Sequence, residues 1–296
     1  MKLSIVIPVK DINDPKLAEL LRSIEAQDFP KSEMEILTIT EGTSESAKAI
    51  GIRKARGEVI GILASDNVIP PYPMWLNVLT FLARLNGSSQ PAYYAYRKLD
   101  DILTRYFSLI GGNDSLAFYM NKNDKFPHYV RPEGLLRITN GRTIGDNGYF
   151  VVRELILKTN LDNYYHIDNA NESGAECVIY PNSIVHNTGG NIFSFFAKRY
   201  RYGLQHAFNK NRRWHLVDFR KPKDIWRLLW FIFATLTIVQ PLFLSIRGYL
   251  KVRDAAWFLH WPCMVLTTFT YGFLMVNLGI KRLSQSLFAR MAVQKA

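Results

Sequence analysis

Two long runs without Asp, Glu, Lys or Arg lie near the end of the chain, and they constrain its fold most. They cover Leu228–Ile246 and Ala255–Ile280. A helix that crosses the hydrocarbon core of a bilayer needs about 17–25 predominantly apolar residues. Buried core helices are the alternative. Because both runs lie at the same end of the chain, they favour a transmembrane helical hairpin over 228–280, followed by a cytoplasmic tail over 281–296.

The segment before the first run, residues 191–227, is basic and aromatic. It holds ten Lys and Arg against two Asp, and therefore +8 of the net charge of +12. A stripe of cations and aromatic rings suits either nucleic acid or an anionic membrane surface. The adjacent uncharged runs favour the membrane, so we expect an interfacial amphipathic segment here and no nucleic-acid partner.

The distribution of cations predicts which side of the membrane the chain occupies. Lys and Arg are dense before the first run and recur after the second, which places both flanks on the cytoplasmic face of the inner (plasma) membrane. Three cations in the link between the runs, Arg247, Lys251 and Arg253, weaken this asymmetry. The two cysteines, Cys177 and Cys263, indicate no disulfide framework, which fits a reducing compartment for the soluble part.

The first 190 residues alternate between strand and helix patterns. Short β-branched runs predict strands, and apolar residues three and four apart predict helices. Asp14 and Pro15 are a typical helix start. The expected elements are strands over 3–9, 35–40 and 59–63 and helices over 15–27 and 46–56. This alternation predicts an α/β domain over 1–190 with a mostly parallel, Rossmann-like sheet.

The pattern is weaker beyond residue 70. A helix is expected over Trp75–Leu85, and the stretch 87–143 is irregular and rich in Tyr, Asn, Gly and Pro. Such long irregular stretches are often functional. Order returns with a turn and strand over 145–153, and two short strands are expected over 177–180 and 183–187.

The third predicted strand ends at Ser65-Asp66-Asn67. In open α/β sheets, ligands bind in the crevice at the carboxyl ends of the strands. A carboxylate beside an amide at that edge suits a divalent cation that carries a diphosphate. The alternative is an ordinary Asx-type turn that closes the strand.

Several stretches occur in the order and approximate spacing of a known family. They are Ile5–Val9, Glu41–Glu45, Gly57–Asp66, Gly145–Phe150 and His166–Asp168. Together they resemble the family 2 inverting glycosyltransferases of the GT-A fold, in their membrane-attached prokaryotic form. The resemblance covers roughly residues 3–187.

The resemblance implies a hexosyltransferase-type enzyme in cell-surface polysaccharide or glycan assembly. Such an enzyme moves a sugar from a UDP- or GDP-linked donor to a lipid-linked acceptor, here a polyprenyl-linked glycan. Two alternatives stay open: a polyprenyl-phosphate monosaccharide synthase, and a catalytically degenerate, membrane-anchored scaffold or binding protein. The sequence leaves the oligomeric state open.

The resemblance also implies roles for individual residues. Asp66 and His186 are the expected ligands of Mg²⁺ or Mn²⁺, and a hydrogen-bonded structural role is the alternative for His186. Asp168 is the expected catalytic base, with Asp146 as the alternative, and His166 is expected to orient Asp168 or to cap a helix. The expected donor-binding residues are Pro8, Val9, Glu41, Lys54, Ser65, Asp66, Asn67, Arg199 and Arg201.

The chain departs from the family pattern at two of these positions. Glu41 stands where the family usually has an Asp that reads the nucleotide base. Ala64 replaces the first Asp of the usual Asp-x-Asp metal motif, so that only Asp66 remains. These departures are the basis of the scaffold alternative. A single carboxylate still suffices for Mg²⁺ or Mn²⁺ when phosphate oxygens and another side chain complete the shell.

Overall fold

The computed structural model describes residues 1–70, 87–112, 114–120, 136–138, 148–208 and 217–293. The predicted helix over 75–85 and the candidate base Asp146 therefore lie outside the described residues. The chain forms two compact units. The described residues of 1–100, 107–113 and 123–188 belong to the first, and those of 101–106, 114–122 and 189–296 belong to the second.

The first unit is built on a mixed sheet. Its described strands are β1 (Leu3–Pro8), β2 (Met34–Ile39), β3 (Val59–Ile62), β4 (Asn67–Val68), β5 (Gly87–Tyr94), β6 (Leu136–Ile138), β7 (Tyr149–Val152) and β8 (Glu176–His186). The order across the sheet is β2-β1-β3-β7-β5-β8-β4, with β6 paired to β8. β1 is parallel to β2 and β3, β5 is parallel to β8, and β7 is antiparallel to both β3 and β5. β2, β1, β3, β5 and β8 therefore run in one direction, and the predicted mostly parallel α/β sheet is confirmed.

Apolar side chains on both faces hold the central strands. β1 and β3 are buried along almost their whole length, as expected for parallel strands covered on both sides. One face packs against α1 (Pro15–Glu25) through Leu17, Leu20 and Ile24. The other packs against α2 (Ser44–Lys54) through Ala49 and Ile52.

The helix signals near the N-terminus are confirmed. The Asp14 side chain accepts a hydrogen bond from the Lys16 amide, and Pro15 occupies the first turn of α1. The N-terminus of α2 is capped by Thr43, whose side chain accepts from the Ser46 amide. Local capping is enough to begin both helices near the expected positions.

Glu35, at the edge of the same sheet, carries a perturbed carboxyl group. Burial alone raises its pKa, but bonds from Ser4 Oγ, the Arg56 amide and the Arg56 guanidinium outweigh that effect and hold the pKa below its ordinary value. Ser4 Oγ in turn accepts from the Gly57 amide. This network joins β1, β2 and the turn that precedes β3.

The described residues of 87–143 are more regular than the sequence predicts. They contribute β5, and also α3 (Ile102–Leu109) and α4 (Ser115–Tyr119). β5 carries Pro91, and the β5–β8 register shifts between Pro91 and Tyr93. β8 is one strand where two short ones were predicted. Pairing with β7 and β8 imposes strand geometry on a sequence without strand patterning.

Further along the chain the first unit has two short helices, α5 (Arg153–Leu157) and α6 (His166–Glu172). The described residues of the second unit include four longer helices. They are α7 (Ile192–Phe208), α8 (Pro222–Thr237), α9 (Val239–Lys251) and α10 (His260–Val293). A 3-10 turn over Ala255–Leu259 precedes α10.

The first uncharged run does not form one straight helix. It is broken at Ile238, whose φ of 57° is left-handed, and α8 and α9 meet there at 85°. Pro241 lies in the first turn of α9, where its missing amide proton costs nothing but where a continuous helix would be interrupted. Within the described residues, only Ala255–Ile280 is both helical and apolar over a length that can span a bilayer. The expected hairpin of two spanning helices is therefore corrected to one candidate span and one bent pair.

Gly248 in α9 is expected to tolerate no side chain. An added Cβ would lie 2.3 Å from the Trp257 indole. We expect Gly248→Ala to lower the free energy of unfolding by about 1–3 kcal/mol, the usual scale for overpacking. The matched control is Gly272→Ala in α10, where an added Cβ meets nothing within 4 Å. Thermal melting in detergent should show a lower melting temperature for Gly248→Ala and an unchanged one for Gly272→Ala. Equal melting temperatures would contradict the close contact of Gly248 with Trp257.

Candidate functional site

The carboxyl ends of the co-directional strands meet at one edge of the first unit. The Val9 amide donates to Ile39 O at 2.9 Å, and the Leu63 amide donates to Val6 O at 3.1 Å. These bonds extend β1 past Pro8 and β3 past Ile62. This edge is the place where ligands bind in open α/β sheets.

The tip that follows β3 is a tight turn closed by Asn67. Its Oδ1 accepts from the Ala64 amide at 2.9 Å, and its own amide donates to Ala64 O at 3.0 Å. A turn thus closes the strand, although its side-chain bond reaches back three residues and is not that of an Asx turn. It is made by the buried amide of Asn67, not by the carboxylate of Asp66, so turn formation does not account for Asp66.

Asp66 lies beside His186, the other expected metal ligand. Antiparallel pairing of β4 with β8 places Asn67 opposite His186, and the Asn187 amide donates to Asp66 O at 2.7 Å. Asp66 Oδ1 is 3.4 Å from His186 Nε2. This oxygen is buried, and no hydrogen bond reaches it within the described part of the chain.

The His186 ring is held on two sides. It stacks on the Tyr94 ring with centroids 5.2 Å apart, and its Nδ1 lies 3.2 Å from Thr188 Oγ1. A hydrogen bond on one ring nitrogen fixes the orientation of the other, as is usual for metal-binding histidines. Nε2 is thereby directed towards Asp66.

The Asp66–His186 pair has the chemistry of a divalent cation site. Two ligands, each about 2.1 Å from one Mg²⁺ at octahedral angles, lie about 3 Å apart, close to the 3.4 Å observed. The described residues contain no group of three or more His, Cys, Asp and Glu that could hold a metal ion. A cation here would complete its shell with water or with oxygens of a bound phosphate, as Mg²⁺ commonly does.

Glu41 and Lys54 contact each other at the end of β2. Their charged groups are 3.7 Å apart, and both side chains are mostly exposed. Gly42, next to Glu41, has φ of 78°, and an added Cβ there would lie 2.3 Å from Ser46 Oγ. The chain therefore needs glycine for the sharp turn from β2 into α2. Among the other expected donor-binding residues, Pro8 and Ser65 are half-buried and Val9 is buried.

Asp168 lies in the first turn of α6 and is half-buried. His166 begins that helix, and its ring is buried against Tyr149 with centroids 4.9 Å apart. Tyr149 pairs with Ile62 at the end of β3. The N-terminus of α6 is therefore anchored near the carboxyl end of β3, the edge that carries Asp66.

A buried ion pair also anchors α6. Glu45 Oε2 accepts from the His166 amide at 2.9 Å, while Glu45 Oε1 binds Lys48 Nζ at 2.7 Å. Lys48 is 1% exposed. This contact joins the first turn of α2 to the first turn of α6, which also carries Asp168.

Removing Glu45 is expected to destabilise the first unit strongly. Glu45→Ala leaves the Lys48 ammonium buried without this partner, which typically costs about 3–5 kcal/mol. The double variant Glu45→Gln, Lys48→Met should cost less, because no charge stays buried. As a control, Glu33→Ala removes the exposed pair with Lys2 and should cost less than about 1 kcal/mol. Urea unfolding measures all three; similar losses for Glu33→Ala and Glu45→Ala would contradict the role of burial.

The expected phosphate ligands Arg199 and Arg201 belong to the second unit. Arg199 Nη1 lies 2.8 Å from Asp114 Oδ2 and 3.4 Å from the Tyr271 hydroxyl. Arg201 is exposed on α7. Arg199 thus has an internal ionic partner, and its role towards a donor stays a prediction.

Sequence reasoning missed three contributors to the first unit's site. Tyr94 stacks on His186, Glu45 holds α6, and Lys16 Nζ donates to Asn187 O at 3.0 Å beside Asp66. The Glu45 contact had a local signal in the sequence. Its partner Lys48 is a cation at a position on the apolar face of α2, three residues from Glu45. The other contacts depend on strands and helices distant in sequence, and no local pattern indicates them.

Comparison with known proteins identifies the fold. No family model matches the chain, and no curated protein sequence matches it significantly. A solved mannosyltransferase, PcManGT from Pyrobaculum calidifontis in complex with GDP-Man and Mn²⁺, is similar over 93% of this chain and 87% of that chain, with 13% identity and a TM-score of 0.53. Residues 1–349 of TarS from S. aureus, in complex with UDP-GlcNAc, are similar over 93% of this chain and 90% of that chain, with 14% identity and a TM-score of 0.47. The chain covers 41% of a longer TarS structure, with 14% identity and a TM-score of 0.42. The mixed α/β fold is thus one that a glycosyltransferase of known structure shares.

Proposed function

We propose that this chain is a glycosyltransferase that uses a nucleotide-diphosphate sugar and a divalent cation. The observation that carries the proposal is the Asp66–His186 pair at the carboxyl edge of the sheet, with Asp66 Oδ1 buried and 3.4 Å from His186 Nε2. The shared fold supports it, because the Pyrobaculum mannosyltransferase is in complex with GDP-Man and Mn²⁺.

Asp66 and His186 would hold Mg²⁺ or Mn²⁺. Such an ion, when bound, stabilises the negative charge that grows on a departing diphosphate. Asn67 keeps the turn closed, and Tyr94 and Thr188 hold the imidazole in place. These residues would keep Asp66 and His186 in place to hold a cation and, through it, the diphosphate of the donor.

Asp168 would accept the proton of the acceptor hydroxyl. In a single displacement, the acceptor oxygen bonds to the anomeric carbon as the bond from that carbon to the diphosphate oxygen breaks, and the configuration inverts. The acceptor proton passes to the Asp168 carboxylate. Glu45 and Tyr149 position this carboxylate through His166.

The acceptor in this proposal is lipid-linked, and the enzyme works at a membrane surface. Large apolar side chains are exposed on the second unit, among them Trp226, Trp230, Phe243 and Phe273. Exposed apolar patches of this kind mark interaction surfaces. Arg220, Lys221 and Lys223 precede them, and such cations suit anionic lipid and a phosphate at headgroup depth. The proposed location is the cytoplasmic face of the inner membrane, and the substrate class is a polyprenyl-linked glycan in surface polysaccharide assembly.

A second candidate is a membrane-anchored binding protein without activity. Ala64 in place of an acidic residue, together with the absence of a three-ligand group among the described residues, favours it. Both candidates allow nucleotide binding, but only the enzyme releases the nucleotide diphosphate.

Calorimetry and product analysis distinguish the candidates. Purified full-length chain is titrated with GDP-Man, UDP-GlcNAc and other nucleotide sugars, with Mn²⁺ or with EDTA. The enzyme is expected to bind one of them tightly only with Mn²⁺. Without a lipid-linked acceptor it should release the nucleotide diphosphate slowly, because water then takes the sugar. Binding without any release or transfer supports the binding protein. If no nucleotide sugar binds, the proposed function is wrong.

A further inference from the structure

Both arms of the bent pair α8–α9 are tied to two short segments of the second unit. At its start, Arg227 Nη1 donates to Met120 O at 3.0 Å. Just beyond its end, Asp254 Oδ2 is 2.8 Å from Arg105 Nε. Met120 and Arg105 belong to two short segments, 114–120 and 101–106, which we call the inserted segments.

The inserted segments are tied to each other. The Tyr106 hydroxyl lies 3.0 Å from Ser115 Oγ and 3.0 Å from His260 Nδ1. The Tyr119 hydroxyl donates to Gln240 Oε1 in α9. The start of α8, the middle of the bend and the start of α10 therefore all attach to one compact group of side chains. α8 has 16 residues and α9 has 13, and the two are bent by 85°. At about 1.5 Å per residue, neither arm is long enough to cross a bilayer core about 30 Å thick.

The faces of α8–α9 are clearly divided. Phe231, Ala234, Pro241, Ser245 and Gly248 are buried on the inner side. The outer side exposes large apolar residues, including Trp230, Phe233, Leu236, Phe243, Ile246 and Leu250. Leu236, beside the bend, is 80% exposed. Lys and Arg residues lie at both ends of α8–α9 and border its exposed apolar face, and we call them the basic rim. They are Arg220, Lys221, Lys223, Arg247, Lys251 and Arg253.

α10 is divided in the same way. His260, Cys263, Met264, Thr267 and Leu274 are buried. On the other face, Trp261, Phe269, Phe273, Val276 and Ile280 are exposed at spacings of three to four residues or multiples of them. One face of α10 packs on protein, and the other is apolar and open.

Charged groups lie against the protein-facing side of α10. Tyr271 donates to Asp114, which also pairs with Arg199 of α7. Asn277 contacts Tyr200, and the neighbouring Lys198 and Arg201 are exposed. A Lys or Arg at the bilayer centre costs at least about 2.5 kcal/mol. The middle of α10 therefore lies beside charged side chains of α7 that require water or lipid headgroups. Hydrocarbon cannot surround this part of α10.

We propose that α8, α9 and α10 bind one leaflet of an anionic bilayer through their apolar faces and that the chain does not cross the membrane. The inference rests on the membrane attachment in the proposed function. In place of a hairpin that spans the bilayer, it gives the chain a monotopic attachment, in which helices enter one leaflet only. It also explains the basic link: Arg247, Lys251 and Arg253 lie on the same side as the rest of the chain, where cations are expected. The occupant of the exposed face is lipid, because the basic rim complements anionic headgroups.

Cysteine labelling from each side of sealed membrane vesicles tests the topology. Three single variants of the full chain are treated with a membrane-impermeant maleimide. The labelling of the native cysteines, measured on the wild-type chain, is subtracted. Lys158→Cys reports the side of the first unit, Lys251→Cys the end of α9, and Lys281→Cys the residue after the second uncharged run. All three are expected to react from one face and to be protected from the other until detergent is added.

Each other outcome overturns the inference. Lys251→Cys reacting from the opposite face means two spanning helices. Lys281→Cys alone reacting from the opposite face means that α10 spans. Complete release of the chain by a salt wash means that no face is inserted. Nucleotide-diphosphate release, measured on the same vesicles, reports on the proposed function independently, so the two failures can be told apart.

A matched pair of leucines tests the lipid-binding face directly. Leu236 at the bend and Leu99 in the first unit are both exposed, at 80% and 99%. Leu236→Lys is expected to lower the ratio of bound to free chain by about tenfold or more on vesicles of phosphatidylethanolamine and phosphatidylglycerol. Leu99→Lys should leave it unchanged. Equal binding of the two variants would overturn the assignment of this face to lipid.

Discussion

Asp66→Ala is expected to lower the affinity for the sugar donor in Mn²⁺ by about 100-fold or more, because a bound ion contributes several kcal/mol to holding the diphosphate. The donor-free protein should keep its melting temperature, since the buried Asp66 Oδ1 makes no hydrogen bond within the described residues. Calorimetry with Mn²⁺ measures the loss. In EDTA the variant and the wild type should bind the donor equally weakly.

Two further variants sharpen this test. His186→Gln should also weaken Mn²⁺-dependent binding, because Nε2 lies 3.4 Å from the carboxylate. Asp28→Ala changes an exposed carboxylate that follows the far end of α1 and should bind donor normally. Unchanged donor affinity for Asp66→Ala in Mn²⁺ would remove Asp66 from the site and favour the binding-protein alternative.

Asp168→Asn is expected to lower turnover by about 10²–10⁴-fold, the usual range for a lost general base. The amide keeps the shape and hydrogen-bonding capacity of the carboxylate but cannot take up a proton at neutral pH. Donor affinity should therefore be retained. Steady-state transfer to a lipid-linked acceptor measures the first effect, and calorimetry measures the second.

The control for this variant is Asp162→Asn. The Asp162 side chain is 92% exposed and pairs with Arg53, so its loss should leave turnover unchanged. If Asp146→Asn shows the large loss and Asp168→Asn does not, the two assignments are exchanged. If neither does, the proton acceptor is another group and the proposed mechanism is wrong.

The sequence by itself determined the elements whose signals are local. Short β-branched runs predicted β1, β2 and β3, and Asp14 with Pro15 predicted the start of α1. It also predicted that Asp66 would follow β3 at the carboxyl edge of the sheet. These predictions hold because the features that fix a strand, a cap or a turn lie within a few residues of each other.

Tertiary structure decided what depends on distant contacts. Pairing with β7 and β8 made Gly87–Tyr94 a strand in spite of Pro91, because ladder hydrogen bonds outweigh weak local preference. Pairing of β4 with β8 brought Asp66 to His186, which is 120 residues later in the sequence.

The uncharged run over 228–246 shows the same limit. Hydropathy established that this run is apolar, but apolarity does not fix whether a helix is straight or which of its faces is covered. The left-handed residue Ile238 bends the run by 85°, and contacts at Met120 and Arg105 hold its two arms. The inserted segments that make those contacts are more than 100 residues away in the chain, and only the folded chain brings them together.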